Sequence, residues 1–130
     1  MLLSHSRIEL FFHLVIVTKW RDKSLTPVAL TVINETFDFL SERYNVRRLQ
    51  SNIDQEMPDH WHCVFELTSL DTNLQKFVTS FKSMSSRKLK AVIPNWQGYS
   101  ASYYLGTLSQ NGNELDNALA YVKSQHGNGC

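Results

Sequence analysis

The chain has 130 residues, of which 42% are hydrophobic, and a formal net charge of +1. This length suits a single domain (1–130), and the apolar fraction is sufficient for a packed core, which excludes general disorder. No apolar run is long enough to span a membrane, and the N-terminus lacks the pattern of a secretory signal. Cys63 and Cys130 give neither a disulfide framework nor a zinc-ligand spacing, so we expect a cytoplasmic protein.

Charge is unevenly distributed along the sequence. No Asp or Glu occurs between Thr72 and Asn113. The basic residues in that stretch are Lys76, Lys82, Arg87, Lys88 and Lys90. Such asymmetry indicates a polyanionic partner, although solvated helix faces have a similar composition.

Hydrophobic periodicity predicts the order β-α-β-β-α-β followed by one more helix. The predicted strands are residues 8–19, 46–54, 60–67 and 99–108, and the predicted helices are 27–44, 74–92 and 114–125. This order is typical of the α+β ferredoxin-like (RRM-like) fold, an antiparallel sheet with two helices on one face. We therefore expect a core at 8–108, an additional C-terminal helix at 113–125 and a short tail at 126–130.

The third predicted strand carries two histidines on one face. Alternation places Trp61 and Cys63 toward the core, with His60 and His62 on the opposite side. Residues two apart on a strand lie roughly 7 Å apart, so two imidazoles can converge on one ion. The spacing alone fits equally two histidines that bind nothing.

The last predicted helix carries a tyrosine and a glutamine on a common stripe. Its apolar stripe consists of Leu115, Ala118, Leu119 and Val122. Tyr121 and Gln125, four residues apart, lie on a different stripe. A tyrosine at the margin of a packed face with its hydroxyl in water is the plain alternative, and a glutamine facing solvent is equally common.

The chain resembles the single-tyrosine HUH transposases of small bacterial insertion sequences and their relatives associated with repetitive palindromic elements. Five segments match in order along the chain. They are 13–21, 57–62 (Met-Pro-Asp-His-Trp-His), 81–87, 102–107 and 121–125 (Tyr-Val-Lys-Ser-Gln). The chain departs from the family pattern at Trp61, Ser83, Tyr99 and Ser109, which leaves the preferred DNA sequence open.

The resemblance implies a chemistry and a partner. In such transposases the two histidines and the glutamine hold one Mg²⁺ or Mn²⁺ ion, here His60, His62 and Gln125. Tyr121 would be the nucleophile and would form a 5′-phosphotyrosine with single-stranded DNA carrying imperfect hairpins. The resemblance also implies a homodimer in which this helix completes the site of the partner subunit, with residues 109–113 as a hinge, and nucleoid association when DNA is bound.

Further side chains are candidates for DNA contacts. Lys82, Arg87 and Lys88 would contact phosphates, and Tyr103 and Tyr104 would stack on unpaired bases. Each of the three cations could equally be a solvated helix residue.

Three other functions remain open from the sequence. A single-stranded nucleic-acid-binding module of RRM-like fold needs no catalytic residues. A metal-dependent phosphodiesterase would use water and form no covalent adduct. A replication initiator or relaxase shares the histidine pair but is usually larger, with another motif order.

Overall fold

The computed structural model describes residues 10–110 and 112–124. The strands are β1 (Phe11–Thr18), β2 (Val46–Ile53), β3 (His60–Leu67) and β4 (Tyr99–Leu108), and the α-helices are α1 (Pro27–Tyr44), α2 (Leu74–Leu89) and α3 (Glu114–Lys123). A 3₁₀ turn, Lys19–Arg21, follows β1. The predicted α+β ferredoxin-like order is confirmed. None of the helices within these ranges is both long and apolar enough to cross a membrane.

The four strands form one antiparallel sheet in the order β2-β3-β1-β4. The strand with the two histidines is therefore central and paired on both sides. Residues directly opposite each other in an antiparallel pair share a face. Val15 lies opposite His62, and His13 lies opposite Val64, so the register places His13 on the histidine face of the sheet.

One face of the sheet carries the main core. Side chains alternate between buried and partly exposed along β1, and α1 and α2 pack over the buried set. The fully buried aromatic side chains of this core are Phe37, Trp61, Phe65, Phe77 and Phe81. Their rings contact one another across the helix–sheet interface, which fixes which face of β3 is left for other elements.

The other face is covered in part by α3. Val122 is fully buried there and packs with Val64 and Leu108. Leu115, Ala118 and Leu119 pack around this second cluster, as the predicted apolar stripe requires. The cluster is small, so α3 is held to the sheet by far less apolar surface than α1 or α2.

Two helices begin at residues whose side chains cap the first turn. The Thr26 hydroxyl accepts a hydrogen bond from the N–H of Ala29 at 3.1 Å, just before the proline that begins α1. Asn73 caps α2 by accepting from the N–H of Lys76 at 3.0 Å. These caps fix where each helix starts.

The end of α2 was predicted wrongly by three residues. The helix ends at Leu89 instead of residue 92. The N–H of Ala91 bonds to the carbonyl of Lys88, and that of Val92 bonds to Leu89, three residues back in each case. Hydrogen bonds that span three residues are common at helix ends. The apolar periodicity therefore continues past the α-helix, through a tighter turn.

The connector between β4 and α3 is tied at both ends. The N–H of Leu115 donates to the carbonyl of Ser109 at 3.2 Å, and the Glu114 carboxylate accepts from the N–H of Ser109. Gly112 has φ of 70°, in the left-handed region that glycine adopts at no steric cost. These bonds set the direction in which α3 leaves the sheet.

Candidate active site

His60 and His62 lie side by side on the face of β3 that is turned away from α1 and α2. Their ring centroids are 4.5 Å apart, with an interplanar angle of 72°. His62 is buried and His60 is partly buried. Paired strands on both sides of β3 hold the two backbones rigidly, so the two rings have little freedom to separate.

The Nδ1 atom of each histidine already has a partner. Nδ1 of His60 donates to Oδ1 of Asp59 at 2.6 Å, and Nδ1 of His62 lies 3.0 Å from Nε2 of His13. Oδ2 of the same aspartate accepts from Nε of Arg21 at 2.8 Å. The Nε2 atoms are therefore the ones left for a ligand, the arrangement found where an outer partner fixes the orientation of a metal-binding histidine.

The buried histidines of the site favour their neutral form. Burial, with the nearby His60 and His13 rings adding to it, lowers the pKa of His62 to about 3. Burial also lowers the pKa of His13. An imidazole must be unprotonated to bind a metal, so this environment favours ligand chemistry over a cationic role.

Asp59 is buried as a carboxylate. Burial raises the pKa of Asp59, but hydrogen bonds from Arg21 and His60 outweigh that effect and lower it overall. Its backbone carbonyl also accepts from the N–H of Thr18 at 2.9 Å, which ties the residue to the end of β1. Asp59 therefore presents a fixed acceptor to the adjacent imidazole.

Tyr121 lies beside the histidine pair. Its ring centroid is 5.6 Å from that of His62, edge to face, and the side chain is 40% exposed. The neighbouring Val122 is the buried anchor of α3, and the amide of Asn52 on β2 donates to the carbonyl of Lys123 at 3.3 Å. These two contacts place the tyrosine next to a histidine of its own chain.

One nitrogen of the histidine pair fits the role of a metal ligand. Nε2 of His62 is buried and has no hydrogen-bond partner among the residues that the structure describes. Buried polar atoms are nearly always satisfied, so such an atom calls for an occupant. Within 10–110 and 112–124, no three His, Cys, Asp or Glu side chains form a group that could by itself hold a metal ion. The predicted third ligand, Gln125, lies outside the described residues.

The five predicted DNA contacts do not share one surface. Tyr104 is 57% exposed and lies on the histidine face, where it pairs with Val15. Tyr103 is 37% exposed on the opposite face, with Nζ of Lys82 5.5 Å from its ring. That ammonium donates to the carbonyls of Ser100 and Ala101 at 2.7 and 3.2 Å, so it is already engaged with β4.

The two remaining candidate cations lie near the end of α2 and are exposed. Arg87 donates to the hydroxyl of Ser83 at 2.9 Å, and Nζ of Lys88 lies 5.8 Å from the ring of Phe39 on α1. Both belong to the helix layer, on the far side of the sheet from the histidines. Of the five, Tyr104 alone lies on the face of the candidate site.

Sequence reasoning assigned no role to His13 and Asp59, which contact the two histidines of the site. Both lie in segments that resemble the family, His13 in 13–21 and Asp59 in 57–62, but neither was singled out as a site residue. Trp20 is 78% exposed and has φ of 63°, unusual for a bulky residue. The alternation of β1 could have placed His13 on the face of the sheet opposite to that of its buried neighbours. The register with β3 that brings His13 to His62 is a tertiary property.

Comparisons with known proteins were made for both sequence and structure. The sequence matches the family model described as "Transposase IS200 like" over residues 6–125. No curated protein sequence matches. A REP-associated tyrosine transposase bound to a REP hairpin has a TM-score of 0.68 at 11% identity, over 91% of this chain and 67% of that one. A candidate transposase from Deinococcus radiodurans R1 has a TM-score of 0.65 at 20% identity, over 94% and 95%.

Proposed function

The chain belongs to the IS200-like transposase family, and on that premise we propose that it cleaves and rejoins single-stranded DNA through a tyrosine–phosphate link. The observation that carries the proposal is the position of Tyr121, whose ring lies 5.6 Å from that of His62. A partly exposed tyrosine beside the buried imidazole of His62 is a suitable place for a nucleophile next to a phosphate.

The proposed metal ligands are Nε2 of His60, Nε2 of His62 and the side-chain oxygen of Gln125. Imidazole and amide donors without thiolate suit Mg²⁺ or Mn²⁺. Such an ion, when bound, would polarise and orient the scissile phosphate. Asp59 and His13 contact the Nδ1 atoms of the two rings, which leaves the two Nε2 atoms without a contact from either residue.

The covalent step uses the tyrosine oxygen. Oη of Tyr121 bonds to phosphorus while the bond from phosphorus to the 3′ oxygen breaks. The products are a 5′-phosphotyrosine and a free 3′ hydroxyl, which accounts for the phenol's proton. Reversal by another 3′ hydroxyl rejoins the strands, and because the ester is retained no nucleotide cofactor is required.

The proposed substrate is single-stranded DNA with an imperfect hairpin. The related solved transposase is bound to a REP hairpin, which supports this class of partner. Tyr104, exposed on the same face as the histidines, is the described aromatic best placed to stack on an unpaired base. Arg87 and Lys88 remain proposed phosphate contacts, but only for DNA that reaches the helix layer on the other side of the sheet.

A covalent adduct tests this function. Labelled hairpin DNA with a single-stranded flank is incubated with the protein and Mn²⁺ and run on a denaturing gel. We expect a protein–DNA band that Tyr121→Phe abolishes. Tyr104→Phe is the matched control, since it removes a hydroxyl from the same face and should retain the band. Free cleaved DNA without an adduct would instead indicate hydrolysis, and binding without cleavage would indicate a binding module.

The oligomeric arrangement needs its own test. We propose a homodimer, with exchange of α3 between subunits as the alternative to the site within one chain. The packing of Val122 on Val64 of the same chain supports the latter. Mixing Tyr121→Phe with His62→Ala subunits distinguishes them, because only exchanged helices would restore one working site in a heterodimer.

A further inference from the structure

The geometry points to His13 as a positioning residue that accepts a hydrogen bond from Nδ1–H of His62 and so keeps Nε2 of His62 free to bind the metal. This inference rests on the proposed function, since it concerns how the same metal site is prepared. It assigns a role to a side chain on β1 that is neither the nucleophile nor a ligand.

The contact is set by the register of the sheet. His13 lies opposite Val64, and His62 lies opposite Val15, so the two histidines are diagonal neighbours on one face. Diagonal positions in antiparallel strands are close enough for long side chains to meet. The ring centroids are 5.2 Å apart and the facing nitrogens 3.0 Å apart, which is hydrogen-bond distance.

In a hydrogen bond between two neutral imidazoles, one ring donates the proton and the other accepts it. Which ring donates determines which nitrogen of His62 carries a lone pair. If His13 donated, His62 would carry its own proton on Nε2. That atom is buried and lacks a described partner, so an N–H there would be unsatisfied and could not bind a cation. If His62 donates from Nδ1, its Nε2 presents a lone pair instead.

The same argument applies to the neighbouring His60, for which the acceptor is the carboxylate of Asp59. The Asp59 carboxylate can only accept, so the neutral form of His60 carries its proton on Nδ1 and presents a lone pair at Nε2. With His13 as the second acceptor, both ligands present the same atom. A neutral acceptor suits this central position, because an unpaired carboxylate is more costly to bury than an imidazole.

The surroundings hold the ring of His13 in place. The ring of Tyr104 meets it edge to face, with centroids 5.9 Å apart. Gly106 lies opposite His13 on β4, and a Cβ there would overlap the phenol of Tyr104, with its Cζ only 2.7 Å away. The glycine thus lets the tyrosine lie along the strand against His13.

The direct test is the tautomer of His62. Long-range ¹H–¹⁵N correlation spectra of the metal-free protein should show His62 protonated on Nδ1 and bare on Nε2. A proton on Nε2 of His62 would overturn the inference, whatever the activity of the protein. This measurement needs neither DNA nor metal.

Two substitutions test the consequence for the metal. His13→Leu removes the acceptor, and His13→Gln places an amide oxygen near the original Nε2. Titration of Mn²⁺ followed by its electron paramagnetic resonance signal should show affinity about 10- to 100-fold weaker in His13→Leu, the usual loss for an outer-shell partner. His13→Gln should bind close to wild type. Thermal unfolding in EDTA provides the packing control, since a purely structural role would lower stability without separating the variants in affinity.

The outcomes keep the two proposals apart. Wild-type protein that binds no Mn²⁺ and forms no adduct would refute the proposed function, while the tautomer still decides the role of His13. Wild-type protein that binds Mn²⁺, with His13→Leu binding equally well, would overturn the role of His13 and leave the function intact. If His13→Leu fails to fold, the wild-type spectrum and His13→Gln remain decisive.

Discussion

Replacing Val122 by alanine should loosen α3 and carry Tyr121 away from His62. Val122 is the one fully buried side chain among the described residues of α3. Removing its two methyl groups loses about 1.6 kcal/mol of burial, at roughly 0.8 kcal/mol for each carbon. The cavity left behind adds to this loss.

Helix propensity acts in the opposite direction. Alanine is a better helix former than valine by about 0.5 kcal/mol, so any loosening must come from lost packing. With about 1 kcal/mol for the cavity, the net loss is about 2 kcal/mol, which raises the undocked population of α3 by roughly 30-fold. The main core lies on the other face of the sheet and should be little affected.

Hydrogen exchange measured by mass spectrometry reports the undocking. Amides at 114–123 should exchange up to about 30-fold faster in Val122→Ala, while the central strand β1 stays protected. Adduct formation in a single turnover should slow but still reach completion, because Tyr121 itself is intact. Lys123→Ala introduces the same residue at the exposed next position and should leave both measurements nearly unchanged.

Two results would refute this reasoning. Unchanged exchange at 114–123 would mean that Val122 does not hold the helix. If amide exchange became equally faster throughout the sheet, α3 would not open as a separate unit.

The remaining predictions concern metal binding, DNA binding and stability. Asp59→Asn should weaken Mn²⁺ binding by about 10- to 100-fold in the same titration, and unchanged affinity would remove the carboxylate from ligand positioning. Trp20→Ala should reduce single-stranded DNA affinity by about 1 kcal/mol or more, with little effect on stability. Val28→Ala, at an exposed apolar position of α1, is its control and should bind normally. Lys82→Met should lower the unfolding free energy by about 1 kcal/mol, since its ammonium bonds two carbonyls, without changing the salt dependence of DNA binding. Arg87→Ala should instead reduce the slope of log affinity against log salt concentration by about one. If Lys82→Met changed this slope and Arg87→Ala did not, Lys82 and not Arg87 would be the phosphate contact.

Local patterns were sufficient for most of the fold. The bounds of α1, β3 and β4 agree with the predicted residues, because caps and strand alternation are properties of neighbouring side chains. The end of α2 was misplaced, since hydrophobic periodicity does not distinguish an α-helical turn from a tighter one.

The five residues predicted to contact DNA were chosen for their charge or aromatic ring, and they do not lie on one surface. Tyr103 and Tyr104 are adjacent in a strand and therefore point to opposite faces. Lys82 was proposed as a phosphate contact on charge alone, but its ammonium bonds carbonyls of β4. Charge and aromaticity are visible in a sequence, whereas the face on which they lie relative to the site is not.

The sequence by itself determined the element order, the common face of His60 and His62, and the apolar stripe that leaves Tyr121 to one side. Only the tertiary structure decided that this tyrosine lies against His62 of its own chain, and that His13 contacts Nδ1 of His62. The physical reason is the range of the interactions. Helix and strand periodicity depend on residues a few positions apart, but the contact of His13 with His62 depends on strand register and that of Tyr121 on the docking of α3.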